Sequence, residues 1–427
     1  MSVLERNDGP RRFGGLWRHA DFLKLWAGET ISVFGTLITR TALPFTAIIV
    51  LDASPAQMGL LTAAELGPGF LVGLVAGVWV DRLRRRPVMI LTDVLRALAL
   101  VTIPAAALLE VLRIGQLYAV AFTVGALSAF FDIAYRAYLP SLIEREQLLD
   151  GNSKLTASAA VAEVTSFGIG GVLVQVLTAP LAILADALSF LVSALCIARI
   201  KTPEPPPAPL SERINLLREA QEGLRLVWEN GVLRALTLSA TISSLAGGMI
   251  SSTILLFVNR ELGFSPGVLG LIFGVGGATS LLGALFAARA GRIVGLGPAL
   301  IISRFVAGIG TLFIPLAGGA TFGGGALLVA NQLVTDPAAT VYAIHELSLR
   351  QAITPDRLQG RMNATVEVAR FGALLAGALL GGFLGELIGV RATLYLAAAC
   401  SLPATVVLLL SPVRRYHAVE APLIGTP

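Results

Sequence analysis

The chain has 427 residues, of which 55% are hydrophobic and only 14% are charged, and its mean hydropathy is +0.78. This hydropathy excludes an ordinary water-soluble domain, so the net charge of +5 does not indicate a nucleic-acid-binding protein. The 45 glycines are spread through the apolar runs, which indicates closely packed membrane helices and not the alternating pattern of β-barrel strands.

Apolar runs of about 20 residues, long enough to cross a ~30 Å hydrocarbon core as helices, recur along the chain. The basic stretch 1–22 has no apolar core or cleavage site of a signal peptide, so the first run is expected to direct insertion. An all-α integral membrane protein is therefore predicted. Its twelve spans are residues 23–50, 57–80, 88–109, 114–138, 155–179, 181–199, 232–258, 266–288, 298–318, 322–345, 362–386 and 391–411.

Lysine and arginine are unevenly distributed among the loops between these spans. If the N-terminus is cytoplasmic, only Arg113, Arg260 and Arg391 lie in loops on the opposite side. The positive-inside rule therefore predicts a multi-pass protein of the cell (inner or plasma) membrane with both termini in the cytoplasm.

The loop after the second span has a distinctive spacing, G-x-x-x-D-R-x-x-R-R, formed by Gly77, Asp81, Arg82, Arg85 and Arg86. Its charges alone would orient spans two and three. The spacing also resembles the signature loop of the major facilitator superfamily. Arg84 stands where that signature usually has a second glycine, as in the exporter branch that handles macrolides and enterobactin.

The resemblance implies that this loop is a cytoplasmic latch between two halves of the protein. In families that this chain resembles, the latch aspartate faces a base on span four and the neighbouring end of span eleven. The residues of this chain that fit those places are Arg136, Glu367 and Arg370.

A weak internal repeat divides the chain into two halves. "SPAQMGLL" at 54–61 recurs as "SPGVLGLI" at 265–272, and "LIEREQLLDGNSKL" at 142–155 is similar to "AITPDRLQGRMNAT" at 352–365. Two halves with six spans each are parallel, which is the arrangement of the major facilitator fold. The predicted parts are a cytoplasmic tail (1–22), an N-terminal half (23–200), a linker (201–231), a C-terminal half (232–411) and a second tail (412–427).

The linker begins with a proline-rich stretch that cannot be helical and then becomes amphipathic. Apolar residues recur there at helical spacing, at Leu210, Ile214, Leu217, Leu224 and Trp228. We expect this helix to lie on the inner leaflet of the membrane. A plain solvated linker is the alternative.

Several ionisable residues lie inside predicted spans, where each needs a partner, water or a function. Arg40 and Glu65 lie at similar depth on consecutive antiparallel helices, so we predict that they pair, either structurally or for transport. Spans one, four, seven and ten line the cavity in the superfamily. The resulting candidates for binding substrate or protons are Glu29, Arg40, Glu65, Asp132 and Asp336, with Asn331, Gln332 and Tyr342 as neutral polar candidates.

These features predict a secondary active transporter that exports an amphiphilic small molecule, such as a drug, a macrolide or a siderophore-like compound, by alternating access. Proton antiport is implied by the resemblance, and no G-x-x-x-x-G-K-[ST] motif for ATP is present. We expect no enzymatic activity, no cofactor and no metal. The expected partners are the small molecule, protons and membrane lipid, with no nucleic acid, and the protein is expected to be a monomer.

Two alternatives remain at this point. The first is an importer or symporter of a small metabolite, although the low polar content of the predicted cavity suits apolar ligands better than sugars. The second is a membrane scaffold that does not transport, although a scaffold would not need charges within the bilayer.

Overall fold

The computed structural model describes residues 15–80, 83–204 and 216–416, and within these ranges the secondary structure is helical throughout. The first six helices are α1 (Ala20–Phe45), α2 (Pro55–Val80), α3 (Arg85–Leu108), α4 (Ile114–Leu142), α5 (Leu148–Leu177) and α6 (Ala179–Ala198). A connecting helix, α7 (Leu216–Glu229), follows. The remaining helices are α8 (Gly231–Leu256), α9 (Pro266–Val294), α10 (Leu296–Gly310), the short α11 (Phe313–Leu316), α12 (Phe322–Ile353), α13 (Asp356–Ile388) and α14 (Val390–Leu409).

The helices have the dimensions of membrane spans. Among the described residues, 10 helical segments are long and apolar enough to cross a bilayer. Two further helices, α2 and α12, have 26 and 32 residues, which at ~1.5 Å per residue also exceeds a ~30 Å core. The predicted all-α membrane fold is confirmed, and α2 and α12 lie at the positions of the remaining two predicted spans.

The internal repeat is visible in the helix boundaries. Short π-helical turns at Thr46–Val50 and Phe257–Glu261 extend the first helix of each half, 211 positions apart. The same offset relates the starts of α2 and α9, the starts of α3 and α10, and both ends of α6 and α14. The repeat that the sequence predicts is therefore a repeat of structure.

Two helices begin well before the predicted spans. α5 begins at Leu148 and α13 at Asp356, whereas the apolar pattern places their first residues at 155 and 362. Both early segments are polar, so an analysis of hydropathy detects only the part of the helix that lies in the apolar core.

The two halves share one core at one end of the bundle and separate at the other. We call the end where α1 begins and α14 ends the inner end, and the opposite end the outer end. One continuous apolar core at the outer end includes residues of both halves, such as Phe45 and Phe257. At the inner end each half has a core of its own, around Tyr138 in one and Leu300 in the other. The halves are therefore joined at the outer end.

The connecting helix α7 packs on the C-terminal half. Gly223 lies directly against the backbone of Arg361 on α13, and the Arg361 guanidinium pairs with Glu222 and, at 3.5 Å, with Glu219. Val227 on the same helix is buried. Trp228 and Leu224 remain exposed, which fits the predicted amphipathic helix, while the predicted apolar positions 210 and 214 lie outside the described residues.

Candidate functional site

The outer end is closed by two matching glycine contacts between the halves. A Cβ atom on Gly59 of α2 would lie 2.8 Å from the Cα atom of Gly382 on α13. A Cβ atom on Gly171 of α5 would lie 2.9 Å from the Cα atom of Gly270 on α9. Each glycine of one pair lies 211 positions from a glycine of the other, so the two contacts are equivalent by the internal repeat. Helix backbones can approach this closely because none of these positions has a side chain.

Arg260 adds a polar contact across the same interface. Its guanidinium pairs with Asp52 at 2.6 Å and donates to the carbonyl oxygens of Ala53 at 2.9 Å and Ile48 at 3.0 Å. The Ile48 carbonyl lies in the last turn of the first helix, where acceptors have no partner within the helix, and the Ala53 carbonyl lies in the loop that follows. One side chain of the C-terminal half therefore satisfies the C-terminus of a helix in the N-terminal half.

A group of acidic residues surrounds one arginine inside the N-terminal half. We call this group the N-half acidic cluster, and it consists of Glu29, Asp93, Arg96, Asp132 and Asp186. Its side chains come from four helices, α1, α3, α4 and α6, with Asp93 and Asp186 almost fully buried. Arg136 also acts on Asp132 from one helical turn away, so four carboxyl groups face two guanidinium groups and the acids remain in excess.

Arg96 is the centre of this cluster. Its guanidinium pairs with Asp93, donates to Ser128 Oγ at 3.2 Å, and lies over the rings of Phe131 at 4.4 Å and Phe190 at 4.1 Å. Cation–π contacts of this kind stabilise a charge that has left water. The arginine is thereby held in place by three helices.

Two acids of the N-terminal half lie well inside their helices and are exposed. Asp132 is exposed although it lies within α4. Its carboxyl group is close enough to Glu29 on α1 for the two negative charges to repel each other. Glu163 is exposed on α5, two turns before Gly170, which packs on α1. Gly171 of the same helix packs on α9 of the other half. Glu163 therefore lies on the face of α5 between its contact with α1 and its contact with α9. Both carboxyl groups are therefore accessible although they lie away from the ends of their helices.

The predicted Arg40–Glu65 ion pair is not formed directly, and neither is a pair between Asp132 and Arg136, which their i, i+4 spacing would allow. Arg40 is exposed, and its guanidinium makes no ion-pair contact with the half-buried Glu65. The two charges attract each other only across a longer distance. Asp132 and Arg136, one helical turn apart, form no direct pair either, and Arg136 is exposed. The reason is the rotation of each helix about its axis, which depends on packing and cannot be obtained from depth or spacing alone.

The polar candidates on α12 have separate environments. Asn331 is buried and donates to the Gly310 carbonyl oxygen at 2.9 Å, so it joins α12 to α10. Gln332 and Asp336 pack together against Gly276 of α9. Tyr342 is buried, with the guanidinium of Arg304 3.5 Å from its ring centre. Asn331 and Tyr342 therefore lie in the interior of the C-terminal half. The sequence analysis had expected both side chains to line the cavity between the halves.

A second group of charges lies near the inner end of the C-terminal half. We call it the C-half basic cluster, and it consists of Arg304, Glu346, Arg350, Glu367 and Arg370. Arg350 and Glu346 are both buried and are 3.2 Å apart, and Arg370 pairs with Glu367 at 3.1 Å on α13. The sequence had placed Glu367 and Arg370 as latch partners, but it gave no role to Arg304 or Arg350.

The predicted latch loop is described only in part. Asp81 and Arg82 lie outside the described residues, and the contacts of Gly77 are not described either. The predicted contact of Asp81 with Arg136, Glu367 and Arg370 therefore stays a prediction. Arg86 donates to the carbonyl oxygens of Ala198 at 2.7 Å and Ile197 at 3.2 Å, at the end of α6. The backbone N–H groups of Arg85 and Arg86 donate to Glu204. This part of the loop therefore fixes the inner end of the N-terminal half.

Comparison with known proteins gives consistent matches over most of the chain. A family model described as transmembrane secretion effector matches residues 15–423. The multidrug efflux pump Tap of Mycolicibacterium fortuitum is 27% identical over 394 residues, which cover 86% of this chain and 89% of that protein. Macrolide efflux protein A of Streptococcus pyogenes is 27% identical over 228 residues, or 52% of this chain and 54% of that protein.

Solved structures provide a comparison of shape. A bacterial homologue of the iron transporter ferroportin in its inward-facing state has a TM-score of 0.75 and 18% identity, covering 91% of this chain and 98% of that chain. The outward-facing state of such a homologue has a TM-score of 0.57 and 20% identity, with the same coverage. The fold, closed at the outer end, is thus closer to the inward-facing arrangement, and the chain belongs to the transmembrane secretion effector family of major facilitator transporters.

Proposed function

We propose that this transporter exports an amphiphilic small molecule, such as a drug, a macrolide or a siderophore-like compound, in exchange for protons. The two halves rock about a central cavity, so that the cavity opens alternately at the inner and the outer end. The protein lies in the cell membrane with its inner end facing the cytoplasm, as the distribution of lysine and arginine predicts.

The observation that carries this proposal is the pairing of a closed outer end with exposed acids inside the helices of the N-terminal half. The glycine contacts and Arg260 join the halves at the outer end, while Asp132 and Glu163 are exposed within α4 and α5. A substrate in the cytoplasm or the inner leaflet can therefore enter between the halves, and rocking would release it outside. The efflux activity in the names of Tap and macrolide efflux protein A supports this direction.

The composition of the N-half acidic cluster supports coupling to protons. Ionised carboxylates are costly inside a bilayer unless a cation compensates them, and here four carboxyl groups share Arg96 and, at longer range, Arg136. Protons, or a cationic group on the substrate, supply the charge that the protein lacks. Exchange of the two on Glu29 and Asp132 would couple substrate release to proton uptake.

Transport in inverted membrane vesicles tests the proposal. Vesicles energised with a pH gradient would be offered a panel of fluorescent dyes, macrolides and catecholate siderophores, and accumulation would be measured for the wild type, Glu29→Gln and Asp132→Asn. We expect gradient-dependent accumulation in the wild type and its loss in both variants. Glu110→Gln is the matched control, because Glu110 is an exposed acid in the loop after α3 at the outer end.

The outcomes separate the alternatives. Movement that survives collapse of the pH gradient would contradict proton coupling. Gradient-driven uptake by right-side-out vesicles, with none by inverted vesicles, would replace export by import or symport of a small metabolite. A folded wild type that moves no compound in either orientation would contradict the export proposal.

A further inference from the structure

The C-half basic cluster has more positive than negative charge. Glu346 lies in the field of three guanidinium groups, those of Arg350, Arg370 and Arg304, and of one other acid, Glu367. With every group ionised, three bases face two acids. Arg304, Glu367 and Arg370 lie inside predicted spans, where charge that is not compensated is costly and ionisable residues that persist mark the path of a substrate or an ion.

The cluster also has hydrogen-bond donors without an acceptor among the described residues. The Arg350 side chain is only 5% exposed, and while its Nε atom lies 3.2 Å from Glu346 Oε1, its Nη1 atom is enclosed and has no acceptor. The same holds for Arg304 Nε and for the hydroxyl of Tyr342. Buried donors are nearly always bonded, so these groups are arranged for an acceptor that the protein itself does not provide.

Comparison of the two halves shows where the excess arises. Phe131 and Tyr342 are 211 positions apart, and each has an arginine over its ring, Arg96 in one half and Arg304 in the other. The residue that lies 211 positions before Arg304 is Asp93, the direct partner of Arg96. The repeat therefore keeps the arginine–aromatic contact but replaces an acid by a base. A purely structural contact would not require this reversal.

The cluster is positioned to meet a molecule between the halves. Its members belong to α10, α12 and α13, and α13 borders the N-terminal half through its packing on α2. Arg370 and Glu367 are about half exposed and form the accessible edge, whereas Arg350 lies behind them and Arg304 is half-buried.

We propose that Arg304, Arg350 and Tyr342 form an anion-binding subsite for a carboxylate or phosphate group of the transported amphiphile. The two guanidinium groups donate to the anion, and the Tyr342 ring fixes the plane of Arg304 while its hydroxyl donates a further hydrogen bond. This inference rests on the proposed export function and narrows its substrates to amphiphiles that carry an acidic group.

Binding of two matched probes tests the subsite. The probes are 11-(dansylamino)undecanoate and its methyl ester, which share an apolar body and differ in charge. Their affinities would be measured by dansyl fluorescence on the full chain in phosphatidylcholine nanodiscs. We expect the wild type to bind the acid at least about tenfold more tightly than the ester. Arg304→Gln should abolish this preference without changing the affinity for the ester.

Two further variants keep the test independent of folding defects. Arg292→Gln removes an exposed arginine at the inner end of α9, outside the cluster, and should retain the preference for the acid. Glu346→Gln removes the internal competitor for the guanidinium groups and should increase the affinity for the acid, a gain that misfolding cannot produce. Equal affinities of the wild type for the two probes, no binding of either, or an unchanged preference in Arg304→Gln would overturn the subsite.

A second arm distinguishes a substrate from a lipid headgroup. If phosphatidylglycerol in the nanodiscs abolishes the preference of the wild type for the acid, the anion is a lipid phosphate and the substrate assignment is overturned. Failure of the export proposal would be seen separately, as the absence of gradient-driven movement of every compound by wild-type vesicles. Failure of the subsite alone would leave that movement intact and independent of acidic groups on the compounds.

Discussion

Gln175 of the N-terminal half and Glu386 of the C-terminal half each accept a hydrogen bond from the start of a helix in the other half, at the outer end of the molecule. Gln175 Oε1 accepts a hydrogen bond from the backbone N–H of Gly267, at the start of α9, at 3.0 Å. Glu386 Oε2 accepts from the backbone N–H of Ala56, at the start of α2, at 3.4 Å. The first N–H groups of a helix have no partner within the helix, so each half satisfies a helix start of the other. Opening of the outer end must break both contacts.

The glycine contacts between the halves give the first prediction. Gly59→Val introduces branched carbon atoms where a Cβ alone would lie 2.8 Å from the backbone of α13. Overpacking of this kind costs about 1–3 kcal/mol, enough to shift the balance between inward-open and outward-open forms by roughly tenfold or more. We expect cysteine-attached spin labels at the exposed positions Leu108 and Phe322, near the outer ends of the two halves, to move apart.

The control for this prediction lies on the same helix. A Cβ atom on Gly69 of α2 would meet nothing within 4 Å, so Gly69→Val changes the same residue type without a clash. It should leave the label distance and transport unchanged. If Gly59→Val and Gly69→Val gave the same distances, the glycine contact would not control closure of the outer end.

Arg260 gives a second prediction, in which the size of two effects is compared. Arg260→Gln removes an ion pair and two hydrogen bonds to carbonyl oxygens, one in the last turn of the first helix and one in the loop after it. Asp52→Asn removes only the ion pair, and the Asp52 side chain is 93% exposed, where ion pairs contribute about 0–1 kcal/mol. We expect Arg260→Gln to separate the labels at 108 and 322 and Asp52→Asn to have little effect. The reverse order would show that the carbonyl contacts are unimportant.

The N-half acidic cluster gives a third prediction, on stability. Arg96→Met removes the only guanidinium at the centre of the cluster and leaves the buried carboxyl group of Asp93 without its partner. Loss of one member of a buried pair costs about 3–5 kcal/mol. The double variant Arg96→Met/Asp93→Asn removes both charges and should recover much of the loss. Thermal unfolding of the purified variants measures this, and a double variant no more stable than Arg96→Met would contradict the pairing.

The architecture was predictable from sequence because membrane spans leave a strong signal. Long apolar runs report helices, and the repeat of "SPAQMGLL" as "SPGVLGLI" reported the relation that places α2 and α9 in equivalent positions. Helix ends were less accessible. α13 extends six residues before its apolar run because its first turns are polar and pack with α7.

The arrangement of charges was less predictable, because spacing along a helix does not fix which neighbour a side chain meets. Asp186 could have been recognised as a lone acid in the apolar run of α6, yet its place beside Arg96 depends on how α3, α4 and α6 pack. Arg304 was visible within its span, but nothing in the sequence indicates that its partner is the ring of Tyr342. The ion pair between Asp52 and Arg260 joins residues of different halves, so spacing along the chain does not indicate it either.

The seat of α7 on α13 gives the fourth prediction. A Cβ atom on Gly223 would lie 2.6 Å from the carbonyl oxygen of Arg361, so Gly223→Val must displace the connecting helix and weaken the pairs of Arg361 with Glu219 and Glu222. We expect a loss of about 1–3 kcal/mol of stability, seen as a lower unfolding temperature of the purified protein. Gly360→Val is the matched control on α13, because a Cβ atom there would meet nothing within 4 Å. Equal unfolding temperatures of the two variants would mean that α7 is not held by this contact, and that its exposed face at Trp228 positions it through the membrane alone.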